Sequence, residues 1–313
     1  MSEPVLARLR LAGMPVADYV SGSELDPILS PRPYLHPVAT LGGRLVTDAR
    51  PADHQWHLGI SVALPDVGGW NFWGGRTFLR GQGYVWREDH GRIEHAGFEQ
   101  LGDDGFTERL RWLSPHGELL LTERRRVTAG LAERGWELRL VTILTNAAGR
   151  PVRLGSPATN GRQGAGYGGL FWRLPPARTP HVYTASAAGE HAVHNRAAQW
   201  LAWADRTAGF TLVFTGTSPA TRADPWFVRV EEYPGVGSQL AAPQSLTLPP
   251  GGAATRGLRT LLADGTLSDG AAQAWADATA RARHRPGGGP GGSARRCPAS
   301  GTPCAGDSRR WPG

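Results

Sequence analysis

The sequence contains no lysine, only two cysteines and no long apolar run. All 34 basic residues are arginine, against 27 acidic residues, for a formal net charge of +7. Residues 285–313 hold five of the arginines and one aspartate, which leaves 29 arginines and 26 acidic residues, a net +3, in residues 1–284. The main part of the chain is nearly balanced and has no basic helix or basic-aromatic ladder of the known kinds. We therefore expect no nucleic-acid partner.

The scarcity of cysteine and of apolar runs excludes further classes of protein. Cys297 and Cys304 both lie close to the C-terminus, so the rest of the chain has no disulfide framework and no thiolate metal site. The first residues lack a basic segment followed by an apolar run, and no stretch approaches the roughly 18 apolar residues of a membrane helix. These absences predict a cytoplasmic protein with no membrane contact.

Alternation of apolar and polar residues, the pattern of half-buried strands, recurs along the chain. It is clear in residues 5–11, 57–66 and 136–146. Between residues 88 and 150, five short segments rich in Gly, Asp, Asn or Pro separate runs of strand length. This spacing predicts an antiparallel meander rather than parallel strands joined by helices. The expected fold class is all-β, a large antiparallel β-sandwich.

Two segments near the C-terminus depart from this pattern. Residues 269–285 carry apolar side chains at helical spacing, and either Asp269 or Ser268 is a favourable N-cap residue for them. They predict a short C-terminal helix that closes a single domain over residues 1–285. Residues 286–313 contain eight Gly and five Pro, too few apolar groups to offset the entropy of ordering, which predicts a disordered tail.

A glycine-rich segment, GRQGAGYGGLFWR at residues 161–173, matches the spacing G-x-G-x-x-G of a dinucleotide-binding loop. That loop needs a helix directly after the glycines, because the helix N-terminus holds the pyrophosphate. Pro175 and Pro176 rule out such a helix here, so no nucleotide is expected. Two explanations stay open: a glycine-rich strand packed under its neighbour, or close approach of the backbone and aromatic rings to a sugar.

Histidine and carboxylate residues are concentrated in the first hundred residues. His36, His54 and His57 lie close together in sequence, and Glu94 and His95 follow at successive positions that face opposite ways on a strand. His54 and His57, three residues apart, would project to opposite faces of a strand, so they could share a metal ion only from a loop or turn. His57 also has an alternative explanation as a structural residue with satisfied hydrogen bonds. His and carboxylate groups together suit acid-base chemistry near neutral pH.

Five segments, in order between residues 31 and 173, resemble the PmoA-like family of bacterial proteins: RPYLHPV, PADHQWHLGI, NFWGG, GRIEH and GRQGAGYGGLFWR. Weaker similarity extends to about residue 265. The family is named after methane oxygenase, whose subunits are membrane proteins, whereas this chain has no membrane span. The resemblance implies a β-supersandwich of the galactose-mutarotase type and a sugar-like ligand.

The resemblance also implies roles for individual residues. In mutarotase-like sites, a histidine and a carboxylate exchange protons with the O5 and O1 oxygens of a sugar in an open cleft. Carried over to this chain, that logic makes His54, His57 and His95 the candidate acids and Asp53 and Glu94 the candidate bases. The residues implied to orient hydroxyl groups or stack on the ring are His36, Trp73, Arg162, Gln163, Tyr167 and Trp172. An isomerase or lyase of this kind would need no cofactor.

Two other functions fit the same residues. In the first, His36, His54, His57 and His95 ligate a transition metal such as Zn, Cu or Fe in a metal-dependent oxidoreductase or hydrolase. In the second, the protein is a non-catalytic carbohydrate-binding or sensing module. Bound metal would favour the first function, and a bound sugar without turnover would favour the second.

Overall fold

The structure is a computed structural model that describes residues 3–177 and 180–281. The strands of the described residues are β1 (Val5–Leu11), β2 (Met14–Val20), β3 (Tyr34–Val38), β4 (Ile60–Ala63), β5 (Asp66–Val67), β6 (Thr77–Leu79), β7 (Gly83–Val85), β8 (Arg92–Gly102), β9 (Gly105–Leu113), β10 (Leu119–Ala132), β11 (Gly135–Asn146), β12 (Val152–Gly155), β13 (Gly169–Arg173), β14 (His181–Tyr183), β15 (Trp200–Asp205), β16 (Phe210–Gly216), β17 (Trp226–Arg229), β18 (Gly235–Gln239), β19 (Leu246–Leu248) and β20 (Ala253–Asp264). The helices are α1 (Glu190–Val193), α2 (Pro219–Ala223) and α3 (Asp269–Arg281), and a 3-10 turn spans Pro27–Leu29.

Two large sheets dominate the fold. One has seven strands in the order β1-β2-β3-β4-β13-β18-β17, and the other has eight in the order β14-β15-β16-β20-β11-β10-β9-β8. Two small sheets, β19-β12-β5 and the hairpin β6-β7, complete the set within the described residues. Neighbouring strands pair antiparallel throughout. The predicted all-β fold class is confirmed, and the predicted meander corresponds to β8 through β11.

The core lies between the two large sheets. Leu9 and Trp172 of the seven-stranded sheet belong to the same buried cluster as Trp112 and Leu140 of the eight-stranded sheet. Each strand sends alternate side chains into this cluster, because successive residues of a strand point to opposite faces. Burial of apolar surface at about 25 cal/mol per Å² is the main force that holds the sheets together.

Helix α3 covers part of the outer face of the eight-stranded sheet. Ala272 and Ala276 of the helix pack in a cluster with Trp200, Val213 and Leu261 of the sheet. The predicted helix at residues 269–285 is confirmed as far as Arg281, and the predicted tail at residues 286–313 lies outside the described residues. No helix in the described part of the chain is long and apolar enough to cross a membrane.

The seven-stranded sheet carries a second apolar cluster on its outer face. Ala63 of β4, Phe171 of β13 and Phe227 of β17 form it together with Trp73. The glycines of residues 164–169 lead into β13, a strand, so the structure has no helix where a dinucleotide-binding loop would need one. This face, rather than the glycine loop alone, carries the candidate site.

Candidate functional site

A cleft with a volume of about 590 Å³ opens on the outer face of the seven-stranded sheet. This volume lies within the roughly 300–1,000 Å³ of small-molecule sites. Residues from five segments line it: 53–57, 73–76, 84–86, 162–167 and 227–233. All but the last are loops or a small hairpin, so the large sheet supplies a rigid base and the connecting segments supply the walls.

Strand β13 determines which residues of the sequence LFWR reach the cleft. Leu170 and Trp172 belong to the core between the sheets, and the indole Nε1 of Trp172 donates to the carbonyl of Val46 at 2.7 Å. Phe171 and Arg173 point the other way, toward the cleft. Trp172 therefore does not line the cleft, because strand alternation turns it toward the core and its two neighbours toward the cleft side of β13.

A histidine-carboxylate pair stands on one wall of the cleft. The Nδ1 of His54 lies 2.9 Å from Oδ2 of Asp53, and the two side chains are 31% and 45% exposed. Burial alone raises the pKa of Asp53, but the hydrogen bond from His54 and the charge of Arg173 outweigh it and hold that pKa below its usual value. The ionised carboxylate accepts the Nδ1 proton, so Nε2 of a neutral His54 is an acceptor.

A buried arginine ties this pair to a second histidine. Arg173, with a side chain only 3% exposed, places Nη2 at 3.3 Å from both carboxylate oxygens of Asp53. Its Nη1 donates to Nδ1 of His57 at 3.3 Å. Because a guanidinium can only donate, Nδ1 of His57 must accept, and the ring proton is assigned to Nε2. The sequence hypothesis did not include Arg173 among the site residues.

His57 is a neutral group at physiological pH. Burial, followed by the charges of His54, Arg173 and Arg32, lowers its pKa well below the usual value. Its ring stacks on that of His54 with centroids 4.6 Å apart and planes 14° from parallel. His57 is therefore a hydrogen-bond donor through Nε2 rather than a source of positive charge.

Aromatic rings surround the histidines. The rings of Trp73, Phe171 and Tyr233 lie 5.7, 4.9 and 4.8 Å from that of His57, measured between centroids. The ring centroids of Tyr167 and Trp73 are 4.8 Å apart. Of the three aromatic residues predicted to stack on a ligand, Trp73 and Tyr167 line the cleft and Trp172 does not. Apolar ring faces beside a few fixed polar groups are typical of small-molecule sites.

A fully buried arginine positions two of the tryptophans. Arg32 donates from Nη2 to the carbonyl of Trp56 at 2.7 Å and from Nη1 to that of Trp73 at 3.1 Å. It also bonds the carbonyls of Leu29 and Ser30. Burial lowers the pKa of Arg32 to about 9, so it still carries its charge at neutral pH. Nothing in the sequence points to Arg32 as a site residue, because a lone arginine is normally a surface residue.

Gly75 explains part of the motif NFWGG. Its φ is +70°, and a Cβ atom at this position would lie 2.6 Å from the ring of Trp56. Only glycine combines this backbone conformation with such close approach of an indole ring. The glycine is thus required by the packing of a tryptophan in the cleft wall.

Six of the predicted site residues meet at this cleft: Asp53, His54, His57, Trp73, Arg162 and Tyr167. Arg162 donates from Nη1 to the hydroxyl of Tyr84 at 2.7 Å and lies over the Tyr84 ring. The hydroxyls of Tyr84 and Tyr167 are 3.4 Å apart. The wall formed by the loop of residues 162–167 is therefore joined to the hairpin β6-β7.

Glu94 and His95 do not reach the cleft. As predicted, they point to opposite faces of β8, but β8 is an edge strand of the other large sheet. Glu94 forms ion pairs with Arg92 and Arg111 on the outer surface, both at 2.7 Å. His95 bonds the buried carboxylate of Glu108 at 2.7 Å. Alternation along a strand indicates which face of the sheet a side chain is on. It does not indicate which of the two sheets the strand belongs to.

His36 and Gln163 also lie apart from the lining residues. His36, on β3, places Nδ1 at 3.0 Å from Oγ1 of Thr47, and burial lowers its pKa. Gln163 is exposed in the loop next to Arg162 and does not line the cleft. Neither residue contacts the Asp53-His54 pair.

The four histidines proposed as metal ligands are not brought together. Within residues 3–177 and 180–281, no three His, Cys, Asp or Glu side chains converge in a way that could hold a metal ion. The near-parallel stacking of His54 and His57 also keeps their in-plane nitrogen lone pairs from meeting at one point. Their Nδ1 atoms are engaged by Asp53 and Arg173.

No curated protein sequence matches the chain. Several solved structures align with most of it, and three of them are as follows. A galactose mutarotase related enzyme from Lactobacillus acidophilus is 10% identical and covers 83% of this chain and 99% of its own, with a TM-score of 0.40. The galactose 1-epimerase from Lactobacillus acidophilus NCFM is 8% identical, with 85% and 100% covered and a TM-score of 0.39. The Slr1438 protein from Synechocystis is 11% identical, with 82% and 86% covered and a TM-score of 0.39.

Likenesses this distant carry no information about activity, and none of these names supports the PmoA-like label suggested by the sequence motifs. That label stays a prediction. A family model matches residues 7–277, most of the chain. The chain belongs to that family, described as a family of unknown function, DUF6807.

Proposed function

We propose that the cleft binds a sugar or a sugar-derived small molecule and transfers protons on it by acid-base chemistry. One observation carries the proposal: the Asp53-His54 pair and the neutral His57 stand side by side on a wall of an aromatic-lined cleft. A proton acceptor and a hydrogen-bond donor are thus within reach of one small ligand. No cofactor is needed for this chemistry.

His54 is the proposed general base. Its Nε2 makes no hydrogen bond to a described residue, whereas Nδ1 is held by Asp53. The ionised carboxylate fixes the tautomer and the ring orientation, and it stabilises the imidazolium that forms when Nε2 takes a proton. After the transfer, the same nitrogen returns the proton as a general acid.

His57 is the proposed donor to the ligand oxygen that gains negative charge. Since burial keeps the ring neutral and Arg173 engages Nδ1, the Nε2 proton is available to an oxygen in the cleft. A donor fixed before the reaction stabilises a developing oxyanion without reorganisation. Arg173 is a positioning residue in this scheme, because it acts on the ligand only through Asp53 and His57.

The aromatic residues are the proposed sugar-binding surface. Trp73 and Tyr167 lie together next to the histidines, and Trp56 is fixed by Arg32 on the same side. The C–H faces of a sugar ring pack on aromatic faces, while its hydroxyls bond the polar groups at the edges. This division of contacts favours a sugar over a purely apolar ligand.

NMR in D₂O on a panel of hexoses and sugar acids tests the proposal. The native protein should bind a panel member and accelerate anomer exchange, exchange of a C–H proton, or formation of an olefinic product. His54→Gln should bind that sugar with similar affinity but react at least about 100-fold more slowly, the usual contribution of a general base. His95→Gln, which alters the His-carboxylate pair outside the cleft, is the matched control and should keep the native rate.

The other outcomes are informative as well. A native rate in His54→Gln would remove His54 from the role of base. Binding by the native protein without any turnover would identify a non-catalytic carbohydrate-binding module. Failure of every sugar to bind would contradict the proposed ligand class.

A further inference from the structure

We infer that the ligand is an anionic sugar, and that Arg76 and Arg162 at the mouth of the cleft bind its acid group. The inference deepens the proposed function and rests on it, since it assumes that a sugar occupies the cleft. The acid group is a carboxylate or a phosphate, two anions that a guanidinium binds through paired hydrogen bonds.

Three arginines line the cleft, and one of them, Arg229, already has acidic partners. It lies 3.4 Å from a carboxylate oxygen of Glu190 and 3.9 Å from one of Glu232. Asp53, on the cleft wall, is paired with the buried Arg173. Among the described residues, no carboxylate oxygen lies within 4.0 Å of the side-chain nitrogens of the other two lining arginines. The cleft therefore holds two positive charges that the protein itself does not neutralise.

Arg76 and Arg162 are held in place by aromatic rings. Arg162 donates one hydrogen bond to Tyr84 and lies with Cζ 4.9 Å from the centre of its ring. Arg76 lies with Cζ 5.6 Å from the centre of the Trp86 ring. Each guanidinium rests on an aromatic face and keeps donors that bond no described residue. Cation-π contacts of this kind reduce the entropy that is lost when an anion binds.

The side chains of Arg76 and Arg162 lie on the same side of the cleft. Tyr84 lies on β7 and Trp86 directly follows that strand, so both arginines rest on the same hairpin wall. Trp86 in turn packs against Trp56, with ring centroids 6.3 Å apart, and Trp56 neighbours His54 at 5.2 Å. A sugar that places its acid group at the hairpin wall would thus extend toward the histidines with its ring over the tryptophans.

Calorimetric titration with matched sugars tests the inference. Each set contains a hexose, its hexuronate and its 6-phosphate, in the gluco, galacto and manno series. In at least one set, an acid member should bind at least about tenfold tighter than the hexose, the effect of one or two charge-assisted hydrogen bonds. Added NaCl should weaken this preference, because the arginines are at the exposed mouth. The tighter of the two acid members identifies the acid group.

Charge variants locate the effect. In the double variant Arg76→Gln, Arg162→Gln, the preference for the acid member should fall to within about twofold of the hexose. The control is Arg126→Gln with Arg139→Gln, which removes two exposed charges from the outer face of the eight-stranded sheet and should keep the preference.

Three results would overturn the inference. Equal binding of hexose and acid member would contradict the anionic ligand but leave the proposed sugar site intact. An acid preference that survives in the Arg76, Arg162 double variant would contradict the assignment of these two residues. Failure of every member to bind would contradict both the inference and the proposed function.

Discussion

His54 with Asp53, and His95 with Glu108, are both imidazole-carboxylate pairs, joined at 2.9 and 2.7 Å. The first pair stands on the wall of a cleft, and its carboxylate is 45% exposed. The second lies between the large sheets, where Glu108 is fully buried and accepts a further hydrogen bond from the hydroxyl of Tyr19. The same two chemical groups are thus placed in opposite settings within one sandwich.

The surroundings of Glu108 form a closed network. The fully buried Arg125 donates to Glu123 at 2.8 and 3.0 Å and to the hydroxyl of Tyr19 at 2.9 Å. Glu123 also accepts from the indole of Trp112 and the hydroxyl of Thr142, both at 2.8 Å. No buried side-chain nitrogen or oxygen of these residues lacks a partner. Such a network joins β2 to β9, β10 and β11.

The cleft differs in that its polar groups are only partly engaged. The buried Nε of Arg173 bonds no described residue, and neither does Nε2 of His54 or of His57. A saturated network stabilises the fold, whereas groups with free donors and acceptors beside a cavity are available to a ligand. Open hydrogen-bonding capacity, and not the residue types, therefore distinguishes the cleft from the buried network.

The largest expected effect comes from breaking the closed network. Arg125→Met leaves Glu123 and Glu108 buried without their positive partner, which should lower the free energy of unfolding by about 3–5 kcal/mol. The neighbouring variant Arg124→Met removes an exposed arginine that pairs with Glu99, and it should cost less than about 1 kcal/mol. Urea unfolding of both variants measures the difference. Equal losses of unfolding free energy in the two variants would mean that the buried network stabilises the fold no more than an exposed ion pair does.

A smaller effect is expected when the cleft wall is altered without a change of charge. Gly75→Ala forces a Cβ into the ring of Trp56, and sugar affinity should fall about tenfold as the indole moves. Gly69→Ala is the control, because Gly69 also has a positive φ, +95°, but no atom within 4 Å of the added Cβ. Calorimetry on both variants compares them. If both lose affinity alike, backbone strain rather than the position of Trp56 is responsible.

The smallest expected effect concerns the pH dependence of stability. The pKa of His57 is depressed in the folded state by burial, so the unfolded chain binds a proton that the folded chain does not. This contribution is fully present above the unfolded pKa of about 6.5 and is lost as the pH falls toward the folded pKa. Burial also lowers the pKa of His194, to about 4, and the resulting loss of stability is common to the native protein and to His57→Gln. The native protein should therefore lose more stability on acidification than the variant, by the contribution of His57. Identical pH profiles for native protein and variant would contradict a buried neutral His57.

Local sequence patterns predicted much of the fold. Alternation in residues 5–11 and 136–146 corresponds to β1 and β11, and the turn segments between residues 88 and 150 correspond to the meander. These features depend on neighbours in sequence, which is why they can be recognised. The pairing of β4 with β13 joins distant segments, and no local pattern indicates it.

Part of the candidate site clusters in sequence, and the predicted residues Trp73, Arg162 and Tyr167, from distant segments, also line the cleft. Asp53, His54 and His57 belong to one short segment, and the structure keeps them together. The sequence does not indicate whether Trp172 or Arg173 faces the cleft. Both faces of β13 are buried, so the strand has no alternation of apolar and polar residues that would distinguish them. The contacts of Arg173 across 120 residues to Asp53 arise only from the tertiary fold.

The most direct test of the account is a long-range ¹H–¹⁵N spectrum of the imidazole rings during titration with the tightest-binding sugar. The ring signals of His54 and His57 should shift as the sugar is added, and those of His95 should not. Before addition, His57 should show a neutral ring protonated at Nε2, as its bond from Arg173 requires. Shifts at His95 with none at His54 and His57 would contradict the assignment of the cleft as the functional site.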